Sequence, residues 1–146
     1  MPWKKLWLNA KLSMMTKDSL ALDSSIIIRH MRTADPAIAT KLKAANELYM
    51  PLTVLGEILY GIKRSGNNIR AREQWQKFSQ TVVLLMPDEA TAAAYADIKD
   101  HLASKGRPIP DNDMWIAATA KSHDLTLYCR DQHFEELKEM MTIIQA

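Results

Sequence analysis

The chain has 146 residues, 47% hydrophobic and 25% charged, which fits one compact domain able to bury a core without disulfides or structural metals. Its net charge of +2 comes from Lys4, Lys5, Lys11 and Lys17, which stand without an acid in the first 17 residues; the remainder carries 15 basic against 17 acidic residues. Bulk charge therefore makes no case for nucleic-acid binding. The single cysteine, Cys129, excludes an intrachain disulfide and has no Cys/His partner at zinc spacing.

The chain begins with residues 1–18, a basic leader whose apolar residues (Trp3, Leu6, Trp7, Leu12, Met14, Met15) are interrupted by Asn9 and Lys11. That is a poor signal-peptide core. A short amphipathic helix is one reading; an appendage preceding a true start at Met14 or Met15 is preferred. No apolar run approaches the roughly 18–20 residues that span a bilayer, and the free cysteine suits a reduced cytoplasm.

From residue 19 onward short β-like runs alternate with longer helical ones. Leu20–Asp23 is a first strand. Ser24–Arg32 reads as a helix, with Ser24 or Ser25 as cap and its basic residues late. Pro36–Asn46 is a second helix, with Asp35 as cap and Pro36 in the first position. Glu47–Pro51 is a strand, and Thr53–Lys63 a helix stopped by Ser65-Gly66-Asn67-Asn68. Ile69–Gln80 is a polar helix, and Thr81–Met86 the clearest strand. Glu89–Ser104 is a long helix ending at Gly106. Pro110–His123 is a helix, Leu125–Cys129 a strand with Cys129 buried, Phe134–Met140 a short helix, and Thr142–Ile144 an edge strand. Connections this long imply a mainly parallel sheet covered by helices on both faces.

Acids stand out in this frame. Asp23 ends the first strand and Asp131 stands just after Leu125–Cys129, and an open parallel sheet binds its ligands beyond the carboxyl ends of its strands. Each is also readable as a turn acid or cap. Asp113 heads the helical stripe Asp113, Ile116, Ala117, Ala120, so its charge points inward or into a cleft, where a metal is one possible partner; capping is the alternative. Asp111 lies on the opposite face and reads as a cap. Glu57 points away from the stripe Leu55, Ile58, Leu59, Ile62, yet its helix is apolar nearly all round and it is not placed as a capping-box acid. Pattern alone leaves it open between solvated and buried. Phosphodiester hydrolysis needs water delivered to an anionic phosphorus and a departing oxygen stabilised. Mg²⁺ or Mn²⁺ held by carboxylates from distant segments suits that demand. No histidine pair offers a zinc site, and none of His30, His101, His123 and His133 is assigned a catalytic part.

These segments also resemble a known family. Leu22-Asp23-Ser24-Ser25 is similar to the opening motif of PIN domains. Leu55-Gly56-Glu57-Ile58-Leu59-Tyr60-Gly61 resembles the E-x-x-Y-G segment of VapC toxins. Ile109–Ala118 is similar to their D-x-x-I-A-A segment, and Cys129–Phe134 to their T-x-D-x-x-F segment, with Cys129 in place of Thr. The resemblance runs from about Leu20 to the C-terminus and leaves the leader outside.

It implies a PIN domain over residues 19–146, a three-layer α/β/α sandwich with a mainly parallel sheet. It also implies an Mg²⁺- or Mn²⁺-dependent endoribonuclease with Asp23, Glu57 and Asp113 as core acids and Asp131 as the fourth. The partners it implies are an RNA substrate such as tRNA or rRNA, a second copy in a homodimer, and a VapB-type antitoxin that blocks the site. Ser24 is a candidate to orient an acid or water, against a role as helix cap. Arg29, Arg32, Lys63, Arg64 and Arg130 are candidates for phosphate contacts, against ordinary solvated charge. A non-cleaving PIN-fold RNA-binding subunit is the alternative. A receiver-like signalling domain fits worse, because Leu22-Asp23-Ser24 lacks the adjacent acidic pair.

Overall fold

A computed structural model describes residues 2–7 and 19–146. Residues 2–7 form a short helix with every residue exposed, Trp3, Leu6 and Trp7 included. The rest of the leader, with the expected start at Met14 or Met15, lies outside the described residues. The elements that follow are β1 (Ser19–Leu22), α1 (Ser24–Thr33), α2 (Pro36–Ala44), β2 (Glu47–Pro51), α3 (Leu52–Arg64) and α4 (Ile69–Ser79). Then come β3 (Val82–Leu85), α5 (Glu89–Lys105), α6 (Asp111–Ser122), β4 (Thr126–Cys129), a 3-10 helix (Gln132–Leu137) and β5 (Ile143–Gln145). Among the described residues no helix is long and apolar enough to cross a membrane.

The five strands form one sheet in the order β3-β2-β1-β4-β5, and every pairing is parallel. β1 is central and buried along its whole length, which is why it reads as a continuous apolar run rather than an alternating one. Its register pairs Leu20 with Leu48 on one side, and Leu22 with Tyr128 on the other. The chain runs from β1 outward through β2 to β3, then returns across the sheet to β4 and β5. Right-handed crossovers therefore put the helices of the two halves on opposite faces, giving the expected α/β/α sandwich. The direction reverses between β1 and β4, so the crevice beyond their carboxyl ends is a topological switch point.

One contiguous core joins the sheet to both helix layers. Leu22, Ile26, Ile27, Ile98, Ile116 and Phe134 are fully buried, each such side chain contributing ~1.5–3 kcal/mol by leaving water. Asp35 caps α2 by accepting from the Ala37 and Ile38 backbone N–H groups, with Pro36 in the first turn as expected. Asp88 and Thr91 form a reciprocal capping box on α5, and Gly106 ends that helix with φ 63°, a conformation that suits a residue without Cβ.

Several local expectations are corrected. Thr81–Met86, the most apolar strand by composition, shortens to β3 at the sheet edge, where Val83 and Leu84 are exposed. Leu59 on α3 is exposed too, while Val54 and Ile58 carry the burial. Neither Ser24 nor Ser25 caps α1; the cap position is Asp23, whose side chain makes no capping bond. Asp111 makes no capping bond to α6, and its carboxylate instead accepts from the Tyr95 hydroxyl. The short helix expected over Phe134–Met140 lies earlier, as a 3-10 helix over Gln132–Leu137. The Asp131 side chain captures the His133 N–H two residues on, which tightens the turn before an α-helical bond can form.

Candidate metal centre

The switch point gathers the acids from four separate stretches of chain. Asp23 comes directly off the central strand: its backbone N–H donates to the Tyr128 carbonyl at 3.0 Å, extending the β1–β4 ladder by one rung. The ladder fixes the Cα, and the entry into α1 turns the side chain to the sheet edge. Asp23 is only 4% exposed. Its Oδ2 accepts a 2.7 Å hydrogen bond from the Ser25 hydroxyl. Burial raises its pKa, the Ser25 bond opposes that, and the charge of Asp113 adds to it.

Asp113 occupies the first turn of α6. Its stripe-mates Ile116, Ala117 and Ala120 have no exposed surface, so the helix face predicted from periodicity is the one that packs inward. The Asp113 side chain lies at the rim of that face, 14% exposed. Burial raises its pKa first; a hydrogen bond from His133 counteracts it, and the nearby charge of Asp131 pushes further up.

Glu57 reaches the same place from α3, which packs against both α1 and α6. Its Oε1 is shut away from solvent with no hydrogen-bond partner. Desolvation first, and then the charges of Asp23 and Asp113, raise its pKa from 4.5 to about 7, with the Ser24 hydroxyl acting in the opposite sense. Periodicity left Glu57 open between solvent and interior; the structure places it at the edge of the buried side, one turn from Val54.

Asp131 follows β4 by two residues and keeps 42% of its side chain exposed. It is both a cap, through the 2.9 Å bond from the His133 N–H, and a neighbour of Asp113. His133 is the residue that sequence reasoning missed. Its Nδ1 lies 3.1 Å from Asp113 Oδ2 and 3.1 Å from Asp131 Oδ1, and the three side chains bring ligand atoms within 4.8 Å of one another. The only signal in the sequence was its place two residues after an acid in a capping turn. Ser25, rather than Ser24, is the hydroxyl that bonds Asp23.

The basic candidates are less concentrated. Arg29 pairs with Asp35 at 3.5 Å, and Arg32 lines a surface recess with Asn68 and Arg70. Arg130 is exposed directly before Asp131. A larger cleft of about 720 Å³ opens at the amino ends of β2 and β3, around His30, Leu42, Glu47 and Thr81, and contains none of the clustered acids.

Asp23, Glu57 and Asp113 thus press on one another, with Asp131 beside Asp113 and, among the described residues, His133 between those two. Burial and mutual repulsion make the ionised forms of Asp23, Glu57 and Asp113 costly, and a cation offsets that cost. An orphaned, buried Oε1 on Glu57 and an oxygen-rich donor set fit a hard divalent ion.

Comparison with known proteins identifies the fold and the family. The family model for the PIN domain matches residues 20–140. Ribonuclease VapC1 from Haemophilus influenzae (strain R2866) is 28% identical over 123 residues, covering 82% of this chain and 92% of its own. The solved VapBC-1 structure from nontypeable Haemophilus influenzae superposes with a TM-score of 0.77 at 26% identity, covering 87% of this chain and 97% of that one. VapBC-5 from Mycobacterium tuberculosis, a member of the VapBC family of toxin-antitoxin systems, superposes at 0.72 with 24% identity, over 88% and 99% of the two chains. With the match spanning all five acid and histidine positions of the site, the chain belongs to the PIN domain family.

Proposed function

We propose that the protein is a metal-dependent endoribonuclease acting in the cytoplasm as the toxin of a VapBC-type pair, with residues 19–146 as its PIN domain and residues 1–18 as a leader. The observation that carries this reading is the mutual electrostatic contact of Asp23, Glu57 and Asp113 at the switch point of the sheet. Similarity to proteins named ribonuclease VapC supports the substrate class, and similarity to toxin-antitoxin complexes supports a VapB-type antitoxin as partner.

Asp23 and Asp113 would anchor a Mg²⁺ or Mn²⁺ ion, with Glu57 and Asp131 completing or orienting its surroundings. Such an ion, when bound, supplies a nucleophile from water at neutral pH and neutralises charge on the scissile phosphate. The chain's own part is to hold the acids in place: Asp23 by the β1–β4 ladder and Ser25, Asp113 by the rigid first turn of α6, and Asp131 by its own capping bond. Arg130, exposed beside Asp131, is placed to meet an RNA phosphate. A polymer could reach these acids past the exposed side of Asp131 and Arg130, and a homodimer would extend that surface.

Purified protein incubated with total RNA and Mn²⁺ is expected to release fragments with 5′-phosphate and 3′-hydroxyl ends, and EDTA to stop the reaction. Binding of RNA without cleavage under Mn²⁺ would favour a non-cleaving PIN-fold subunit instead.

A further inference from the structure

His133 has no place in a carboxylate-only centre, yet the fold holds it at the centre's edge. Its backbone N–H is tied to Asp131 Oδ1 at 2.9 Å, and the following residue, Phe134, is fully buried, so the turn that carries the ring is fixed from both sides. The ring's Nδ1 then stands 3.1 Å from an oxygen of Asp113 and 3.1 Å from an oxygen of Asp131. One nitrogen carries at most one hydrogen, so two equal contacts must share it. A cation placed among the three atoms satisfies all of them at once. In an octahedral shell with bonds of about 2.1 Å, neighbouring ligand atoms lie about 3.0 Å apart, close to both observed separations.

We infer that His133 is a nitrogen ligand of the metal centre, through Nδ1, alongside Asp113 and Asp131, and that it biases the site toward Mn²⁺ over Mg²⁺. This rests on the metal-dependent reading above. The chemical reason is ligand preference. Mg²⁺ takes oxygen donors and gives up water reluctantly, whereas first-row transition ions accept an imidazole nitrogen more readily than Mg²⁺ does, Mn²⁺ the weakest of them. A mixed nitrogen and oxygen set therefore separates two ions that an all-carboxylate set would treat more alike. The other three histidines are engaged elsewhere: His30 packs edge-on against Phe78, His101 lies beside Glu139, and His123 contacts the Thr119 carbonyl.

The test is metal binding by the full chain in the absence of RNA. Calorimetry gives the affinities for Mn²⁺ and Mg²⁺, and pulsed electron paramagnetic resonance on the Mn²⁺-loaded protein reads nitrogen hyperfine coupling. The expected result is a nitrogen coupling that changes when histidine alone carries the heavy nitrogen isotope and disappears in H133Q. Mn²⁺ affinity should fall about tenfold or more in that variant, the scale on which even outer-shell partners act, while Mg²⁺ affinity changes far less. The isotope measurement on the unaltered chain decides whether a histidine ligates even if H133Q misfolds, and H133N is the second variant that decides which. Mn²⁺ binding with no histidine coupling, or with a coupling that survives in a folded His133 variant, overturns the assignment and leaves a carboxylate centre standing. Absence of Mn²⁺ binding altogether overturns the metal-dependent reading and this inference together.

Discussion

The negative charge of Asp23, at the end of the central strand, helps hold the Glu57 carboxyl, thirty-four positions later on α3, near a pKa of about 7. The two acids are brought together by the parallel β1–β2 pairing, which sets the end of β1, before Asp23, beside the end of β2, where α3 begins. Asp113 joins them from α6, and all three pKa values are raised mainly by burial. A group whose folded pKa is raised favours the fold in its protonated form. That contribution is full below the unfolded pKa and is lost as pH rises through the folded one, for Glu57 between 4.5 and about 7. A divalent cation requires the ionised acids and removes the repulsion. Mn²⁺ should therefore raise the melting temperature by a few degrees at about pH 8 and by much less at about pH 5, given that ~1 kcal/mol moves a chain of this size by ~2–4 °C. Equal shifts at both pH values, read by differential scanning fluorimetry, would contradict a carboxylate-bound ion.

Asp113→Asn keeps the shape of the side chain and removes one of the charges pressing on Glu57. Metal-dependent RNA cleavage is expected to fall by roughly 100-fold or more, beyond the 10–100-fold that loss of an outer-shell partner costs. The metal-free variant should melt no lower than the parent at neutral pH, because a repulsive charge has gone. Cleavage by a folded variant at the parental rate would remove Asp113 from the centre.

Ser25 would act on a bound metal only through Asp23. Its 2.7 Å bond to Oδ2 fixes one oxygen of a carboxylate that is otherwise buried. Ser25→Ala leaves α1 its cap geometry, since neither serine caps the helix. The expected cost is a 10–100-fold weaker affinity for Mn²⁺ with circular dichroism unchanged. Calorimetry showing parental affinity would mean that the hydroxyl merely satisfies a buried acid and does not orient it.

The sequence carried the frame of the site further than its inner detail. Strand-end acids are legible because parallel strands put their carboxyl ends on one edge, and Asp23 and Asp131 stand one and two residues beyond apolar strands. Asp113 is legible, against its alternative as a cap, because a charge at the head of the stripe Ile116, Ala117, Ala120 points inward or into a cleft. Glu57 was not decided by periodicity, since burial on α3 follows Val54 and Ile58 and leaves Leu59 in solvent; which side of an all-round apolar helix faces inward is settled by its neighbours. His133 and Ser25 were hidden for a different reason. Each acts within two residues of an acid through a turn whose geometry propensity does not encode. The edge position of β3 was equally invisible, because Val82–Leu85 has the composition of a central strand and only the order of crossovers puts it outside.

Cys129 gives a test of the fold beside the site, made on the metal-free chain. The residue has no exposed surface, its thiol donates to the Ile144 carbonyl at 3.7 Å across the β4–β5 pair, and burial, followed by the charges of Asp23 and its neighbours, pushes its pKa to about 12. Only the thiolate attacks alkylating reagents, and at about pH 7.5 it amounts to on the order of one molecule in ten thousand or fewer. Iodoacetamide should leave the folded protein unmodified by mass spectrometry and modify it fully in guanidinium chloride. Cys129→Thr replaces a weak S–H donor by an O–H donor of similar size facing the same carbonyl, so melting temperature and Mn²⁺ affinity should both survive it. Rapid alkylation of the folded chain would mean that the β4–β5 edge opens, and with it the strand end that sets Asp131 beside Asp113.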